Sequence, residues 1–81
     1  MRYTIEISPR ARKDIRKLDL RVTDRILLKI DEMATDLAGD VKHLTQSEPE
    51  YRLRVGDFRV LFDLEGRKII VRRIKNRREA Y

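Results

Sequence analysis

Three features of this 81-residue chain predict an α+β fold of order β-α-α-β-β-β, with two helices packed on one face of a mainly antiparallel sheet. Apolar and polar residues alternate at the N-terminus and again from Tyr51 onward. Between these stretches the apolar residues recur at helical spacing. Gly56-Asp57 and Glu65-Gly66 then divide the C-terminal stretch at the intervals expected of hairpins. The length suits one small domain, residues 1–81, with no room for a second hydrophobic core.

Each element has its own signature. In Arg2 to Ile7, Tyr3, Ile5 and Ile7 share one side and Arg2, Thr4 and Glu6 the other, the pattern of a half-buried strand. Ser8-Pro9 ends it and starts a helix at Pro9, because serine accepts from the free amides of a first turn and proline tolerates the first helical position. Ala11, Ile15 and Leu18 form a narrow apolar stripe, surrounded by Arg10, Arg12, Lys13, Arg16 and Lys17. Asp19 breaks or recaps the helix. Val22, Ile26, Ile30, Met33 and Leu37 then keep the 3.6 period up to Gly39, a left-handed C-terminal residue.

Gly39 to Pro49 has no period and reads as a loop, with Leu44 as its anchor. Three strands follow, Tyr51–Val55, Phe58–Leu64 and Lys68–Ile74, as an antiparallel meander. The helix stripes must bury against one face of the sheet, which leaves the other for a ligand. Arg52 and Arg54 project to that other face. Phe58, Val60, Phe62 and Leu64 make the core set of the middle strand, so Arg59, Leu61 and Asp63 join Arg52 and Arg54, provided the pairing does not slip by one residue.

Composition narrows the function. A charged fraction of 42% far exceeds the roughly 25% of an average domain, and a net charge of +6 suits a polyanion or an acidic protein as partner. There is no cysteine and His43 is the single histidine, so a disulfide framework or thiolate metal site is excluded, and neither metal nor cofactor is expected. No apolar run approaches the roughly 20 residues of a membrane span, and no signal peptide opens the chain, so a cytoplasmic protein with no membrane partner is expected. Glycine-rich phosphate loops, Ser-His-Asp order and paired glycosidase carboxylates are also missing. Among enzymes, a metal-free nuclease remains.

Such an enzyme must take a proton from a ribose 2′-OH, stabilise charge on phosphorus oxygens and protonate the leaving 5′ oxygen. A guanidinium presents a planar fork of donors matched to phosphate, so Arg52, Arg54 and Arg59 suit the middle task. Tyr81 could serve as base if cations packed around it and favoured the phenolate. The plainer readings make Arg52 and Arg54 the wet face of a one-sided sheet and Arg59 half of a cross-strand pair with Asp63 or Glu65. Arg72, Arg73, Lys75, Arg77 and Arg78 likewise read as a solvated strand end or a nucleic-acid patch. His43 is given no catalytic role.

The segments ISPRARKDIRKL, YRLRVGDFRVLFDL and IVRRIKNRREAY together closely resemble the RelE branch of the RelE/ParE toxin superfamily of type II toxin–antitoxin systems. The resemblance implies a β-α-α-β-β-β toxin that cuts mRNA in the ribosomal A site, leaves a 2′,3′-cyclic phosphate, and is neutralised in a hetero-oligomer by an acidic or amphipathic RelB-like antitoxin. It implies substrate contacts at Arg52 and Arg54, a phosphate contact at Arg59 and an activating or stacking role for Tyr81. It places the leaving-group arginine at Arg77, with Arg78 as the alternative and an RNA contact, and Lys75 as a third option. The tail departs from the family pattern, with Lys75-Asn76 where glycine-histidine is usual. Two other functions stay open: a ParE-like DNA gyrase poison on the same fold, and a non-catalytic basic nucleic-acid-binding module.

Overall fold

Alternation at the N-terminus forms strand β1 (Thr4–Ile7), and Ser8 closes it by capping helix α1 (Pro9–Arg16). Ser8 Oγ accepts from the Ala11 amide at 3.1 Å, and Pro9 takes the first helical position. Asp19 caps helix α2 (Leu20–Met33), its carboxylate accepting from the Arg21 amide at 2.7 Å. The computed structural model describes residues 1–80, Ala80 in its backbone alone.

Helix α2 ends at Met33, four residues short of the expected Leu37. Asp36 and Leu37 adopt left-handed backbone, φ 54° and 56°, a region unfavourable for residues with a Cβ. Tertiary contacts hold them there. The Tyr3 amide donates to Ala34 O at 2.7 Å, the Asp36 amide donates to Met1 O at 2.9 Å, and the Met1 ammonium pairs with the Asp36 carboxylate. Leu37 still packs against the core.

The segment read as a loop contains a strand. Strand β2 (Asp40–His43) pairs antiparallel with β3 (Tyr51–Val55), with Asp40 opposite Arg54 and Lys42 opposite Arg52. Only Val41 of β2 is even half-buried, so this edge strand has no apolar alternation to read. Strands β4 (Phe58–Glu65) and β5 (Lys68–Asn76) complete the sheet, in the order β1-β5-β4-β3-β2, and a one-turn helix α3 (Arg77–Ala80) follows β5. β1 runs parallel to β5 and every other pairing is antiparallel, so the α+β class with a mainly antiparallel sheet stands, with one more strand and one more short helix than expected.

Ala11, Ile26, Ile30 and Met33 from the helices meet Leu53, Val55, Val60, Phe62, Ile69, Val71 and Ile74 from the sheet in one core. The inward residues of β5 change phase part-way. Phe62 faces Val71 but Leu61 faces Arg73, so Arg72 is the extra residue of a β-bulge. Ile69 and Val71 point inward before it and Ile74 after it, while Arg73 and Lys75 move to the opposite face. α2 leaves Leu20, Leu27 and Leu28 exposed, and among the described residues no helix is long and apolar enough to cross a membrane.

Candidate functional site

The strand register brings the predicted cations together. Asp40, Arg54, Arg59 and Lys75 stand opposite one another in a row across β2, β3, β4 and β5. The next row on that face is Lys42, Arg52, Leu61 and Arg73. Cross-strand partners project to the same side, so Arg52, Arg54 and Arg59 share the face away from the helices with no slip between β3 and β4. Like charges directly opposite one another destabilise a sheet, which makes the Arg54–Arg59–Lys75 row unfavourable for folding alone.

Carboxylates and carbonyls partly offset that repulsion. Arg52 Nη1 donates to Asp40 O at 2.9 Å and to Asp40 Oδ1 at 3.1 Å, while Arg54 Nε lies 4.0 Å from the other carboxylate oxygen. The two arginines differ in exposure. The Arg52 side chain is 13% exposed, with Nε enclosed and unpartnered among the described residues, whereas that of Arg54 is 56% exposed. Arg59 is buried, its Nη1 donating to Gly56 O at 2.9 Å and Phe58 O at 3.0 Å. The alternative pairing of Arg59 with Asp63 or Glu65 does not form. Asp63 instead accepts from the Glu50 amide at 2.9 Å and Arg72 Nε at 3.0 Å, and Glu65 lies 4.0 Å from Arg72.

Arg59 is therefore tied to the β3–β4 turn, where other cations converge. Gly56 sits at φ 58°, and a Cβ placed there would lie 3.3 Å from Arg25 Nη2, so the turn's tightness lets α2's Arg25 close on its backbone. On the other side the Arg77 amide donates to Asp57 O at 2.7 Å, with Arg77 Nε 3.9 Å from Asp57 Oδ1. Asn76 Oδ1 accepts from the Arg78 amide at 3.2 Å and caps α3. Asp57, Asn76, Arg77, Arg78 and Glu79 line a shallow concavity at this end of the sheet. Tyr81, predicted to supply the base, lies outside the described residues.

Arg73, read as part of a solvated run, is instead anchored. Its Nε donates to Asp14 Oδ2 at 2.9 Å and its Nη2 to Asp14 Oδ1 at 3.4 Å. Burial disfavours the charged Asp14 carboxylate, but the hydrogen bonds from Arg73 and from the Ile74 amide outweigh it and hold the carboxyl below its ordinary range. The same bond raises the Arg73 guanidinium's already high pKa. His43 projects to the face opposite Arg52, 3.6 Å from Glu50 and with its ring centroid 4.8 Å from that of Tyr51, away from the cation rows.

Sequence reasoning missed Lys42 and Asp40, since their strand has no apolar signature, and Arg25 and Asp14, since nothing local links helix residues to the sheet. It marked Asp57 only as a turn residue, although proximity to the basic tail makes it the counter-ion of Arg77.

This constellation has relatives. The family model described as ParE toxin of the type II toxin–antitoxin system, parDE, matches residues 5–81. A Methanocaldococcus jannaschii protein named toxin RelE3 is 32% identical over 85% of this chain and 84% of its own length. The chain belongs to the RelE/ParE toxin superfamily. It is a toxin of a type II toxin–antitoxin system. The archaeal RelE–RelB complex from Pyrococcus horikoshii contains a chain that superposes on this toxin with a TM-score of 0.80 at 25% identity, covering 99% of this chain and 100% of that one. The RelB–RelE antitoxin–toxin complex from Methanococcus jannaschii gives a TM-score of 0.77 at 28% identity, covering 94% of each chain. The toxin's α+β architecture is that of these RelE structures.

Proposed function

We propose that this toxin is a metal-independent, ribosome-dependent mRNA endonuclease that cleaves in the A site and so inhibits translation. The observation that carries the reading is the cross-strand row Arg54–Arg59–Lys75 with Arg52 beside it, a surface unfavourable to the sheet itself but suited to a phosphodiester backbone. In the reaction the ribose 2′-OH loses its proton and its oxygen attacks phosphorus. The P–O5′ bond breaks, leaving a 2′,3′-cyclic phosphate and a 5′-OH that has gained a proton.

Arg59, preset by two backbone carbonyls, is the group best placed to stabilise charge on the phosphoryl oxygens without reorganising. Arg52, Arg54 and Arg78 bind the RNA backbone, Arg77 attends the leaving oxygen and Tyr81 the 2′-OH. Neither arginine nor tyrosine is a strong proton carrier at neutral pH, so charge stabilisation and positioning by the ribosome supply most of the rate. No cofactor is required.

The partner is a RelB-like antitoxin in a hetero-oligomer, with the whole chain acting as one cytoplasmic toxin domain. The relatives' complexes with RelB support this. So does α2, whose exposed Leu20, Leu27 and Leu28 offer an apolar stripe to an amphipathic helix.

Primer extension on mRNA with and without programmed ribosomes tests the activity. Cuts at the A-site codon only when ribosomes are present are expected; equal cuts in both samples would make the protein a general ribonuclease. The ParE description of the matching family favours gyrase poisoning as the second reading. Inhibition of supercoiling without any mRNA cleavage would select it.

A further inference from the structure

β1 covers only part of the edge of β5. Its register with β5 runs from Thr4 opposite Lys68 to Ile7 opposite Val71, so beyond Val71 the outer edge of β5 has no strand partner. Backbone groups on such an edge must find other partners or meet water. Here α1 and its N-cap provide them: Ser8 Oγ donates to Arg72 O at 3.1 Å, and the Ile74 amide donates to Asp14 Oδ2 at 2.9 Å.

The same carboxylate holds the Arg73 guanidinium through both oxygens. Among the described residues, Arg73–Asp14 is the best shielded ion pair, with side-chain exposures of 27% and 11%. It lies directly after the bulge at Arg72, where β5 has just reversed the phase of its side chains. A bulged strand has lost local ladder bonds and bends easily, so the segment past it needs an external restraint to keep one direction. That segment leads straight to Asn76 and α3, and so to Arg77 against Asp57 and the turn that carries Arg59. Asp14, Arg73 and Glu79 also line a common concavity between α1 and α3.

We propose that Asp14 is a positioning residue for the site: by clamping Arg73 and the Ile74 amide it fixes the arm of β5 beyond the bulge and thereby presents Arg77 beside Arg59. This deepens the proposed nuclease function and rests on it for its catalytic consequence. Asp14 touches no substrate. It acts through the backbone, and a helix residue remote in sequence thus governs the C-terminal half of the cation surface.

The test is Asp14→Asn in the full chain, which keeps the volume and one acceptor oxygen but removes the charge. Amide hydrogen exchange should speed at least tenfold more at Ile74 and Arg77 than at Val60 and Phe62 in β4, whose protection falls only with the global stability. The cleavage rate at saturating programmed ribosomes should fall at least tenfold, with little change in the ribosome concentration giving half-maximal rate. A uniform loss of protection, which a purely structural role would produce, overturns the proposal. So does unchanged exchange at Ile74 and Arg77. Should Asp14→Asn fail to fold, Arg73→Gln keeps the Ile74 cap and removes the bidentate pair, and the same selective pattern in smaller measure is required of it. Absence of cleavage by the wild-type protein would instead sink the nuclease reading, and the exchange pattern would still decide the clamp.

Discussion

The cations of this toxin are held in two different ways. Arg52, Arg54 and Arg59 stand on β3 and β4, whose pairing is regular, and the first and last are pinned by hydrogen bonds to Asp40 and to the β3–β4 turn. Arg77 and Arg78 follow a bulged strand, belong to a single helical turn, and depend on Asn76, Asp57 and the distant Asp14 for their placement. The first group is positioned by the ladder that also makes the core. The second is positioned by a few polar contacts, so it is the part more easily altered by mutation, by acid or by a partner.

Arg59→Ala should produce the largest change, because it removes both a donor and the tether of the turn. A cleavage loss of about 10²–10³-fold is expected from the removal of one preorganised donor, measured on programmed ribosomes. A smaller loss than in Arg77→Ala would invert the ranking of the two regions. Ile74→Ala is the next strongest test, because Ile74 is the inward residue of β5 beyond the bulge: a loss of about 2–5 kcal/mol, that of emptying a core isoleucine site, is expected in denaturant unfolding.

Asp14→Ala should lower stability by about 2 kcal/mol at neutral pH, the range for hydrogen bonds to a charged group. The folded carboxyl titrates below its unfolded value near 3.8, so this contribution is complete above that pH and is lost as pH falls through the folded pKa. The wild-type and variant denaturation curves should therefore converge in acid below 3.8 and separate above it; a gap that persists in acid would contradict the assignment. The smallest effect is expected for Asp40→Asn. Removing the carboxylate that occupies Arg52 and Arg54 should tighten binding of single-stranded RNA and steepen its log affinity against log salt by about 0.7 per phosphate newly engaged. An unchanged slope would mean that Asp40 does not compete with the RNA.

Much of the fold was legible because its signals are local. Ser8-Pro9 and Asp19 cap the two long helices, Gly56 and Gly66 mark turns with positive φ, and Phe62 and Val60 lie on the phase their alternation requires. β2 was not legible, because three of its four residues are exposed and it exists as a strand only by pairing with β3. The end of α2 was set by contacts with Met1 and Tyr3 rather than by a breaker in the sequence. At the site, the shared face of Arg52, Arg54 and Arg59 followed from period-two geometry, whereas the anchoring of Arg73 by Asp14 joins residues 59 positions apart.

The sequence by itself determined the α+β class, the two long helices, the hairpin meander and the presence of an arginine face, because capping, turn chemistry and side-chain alternation act between near neighbours. Only the tertiary structure decided which cations stand opposite one another, where β5 changes phase, and what holds its C-terminal arm. Those choices depend on strand register and on edge groups seeking partners, and both are settled when distant segments meet to bury the same apolar surface.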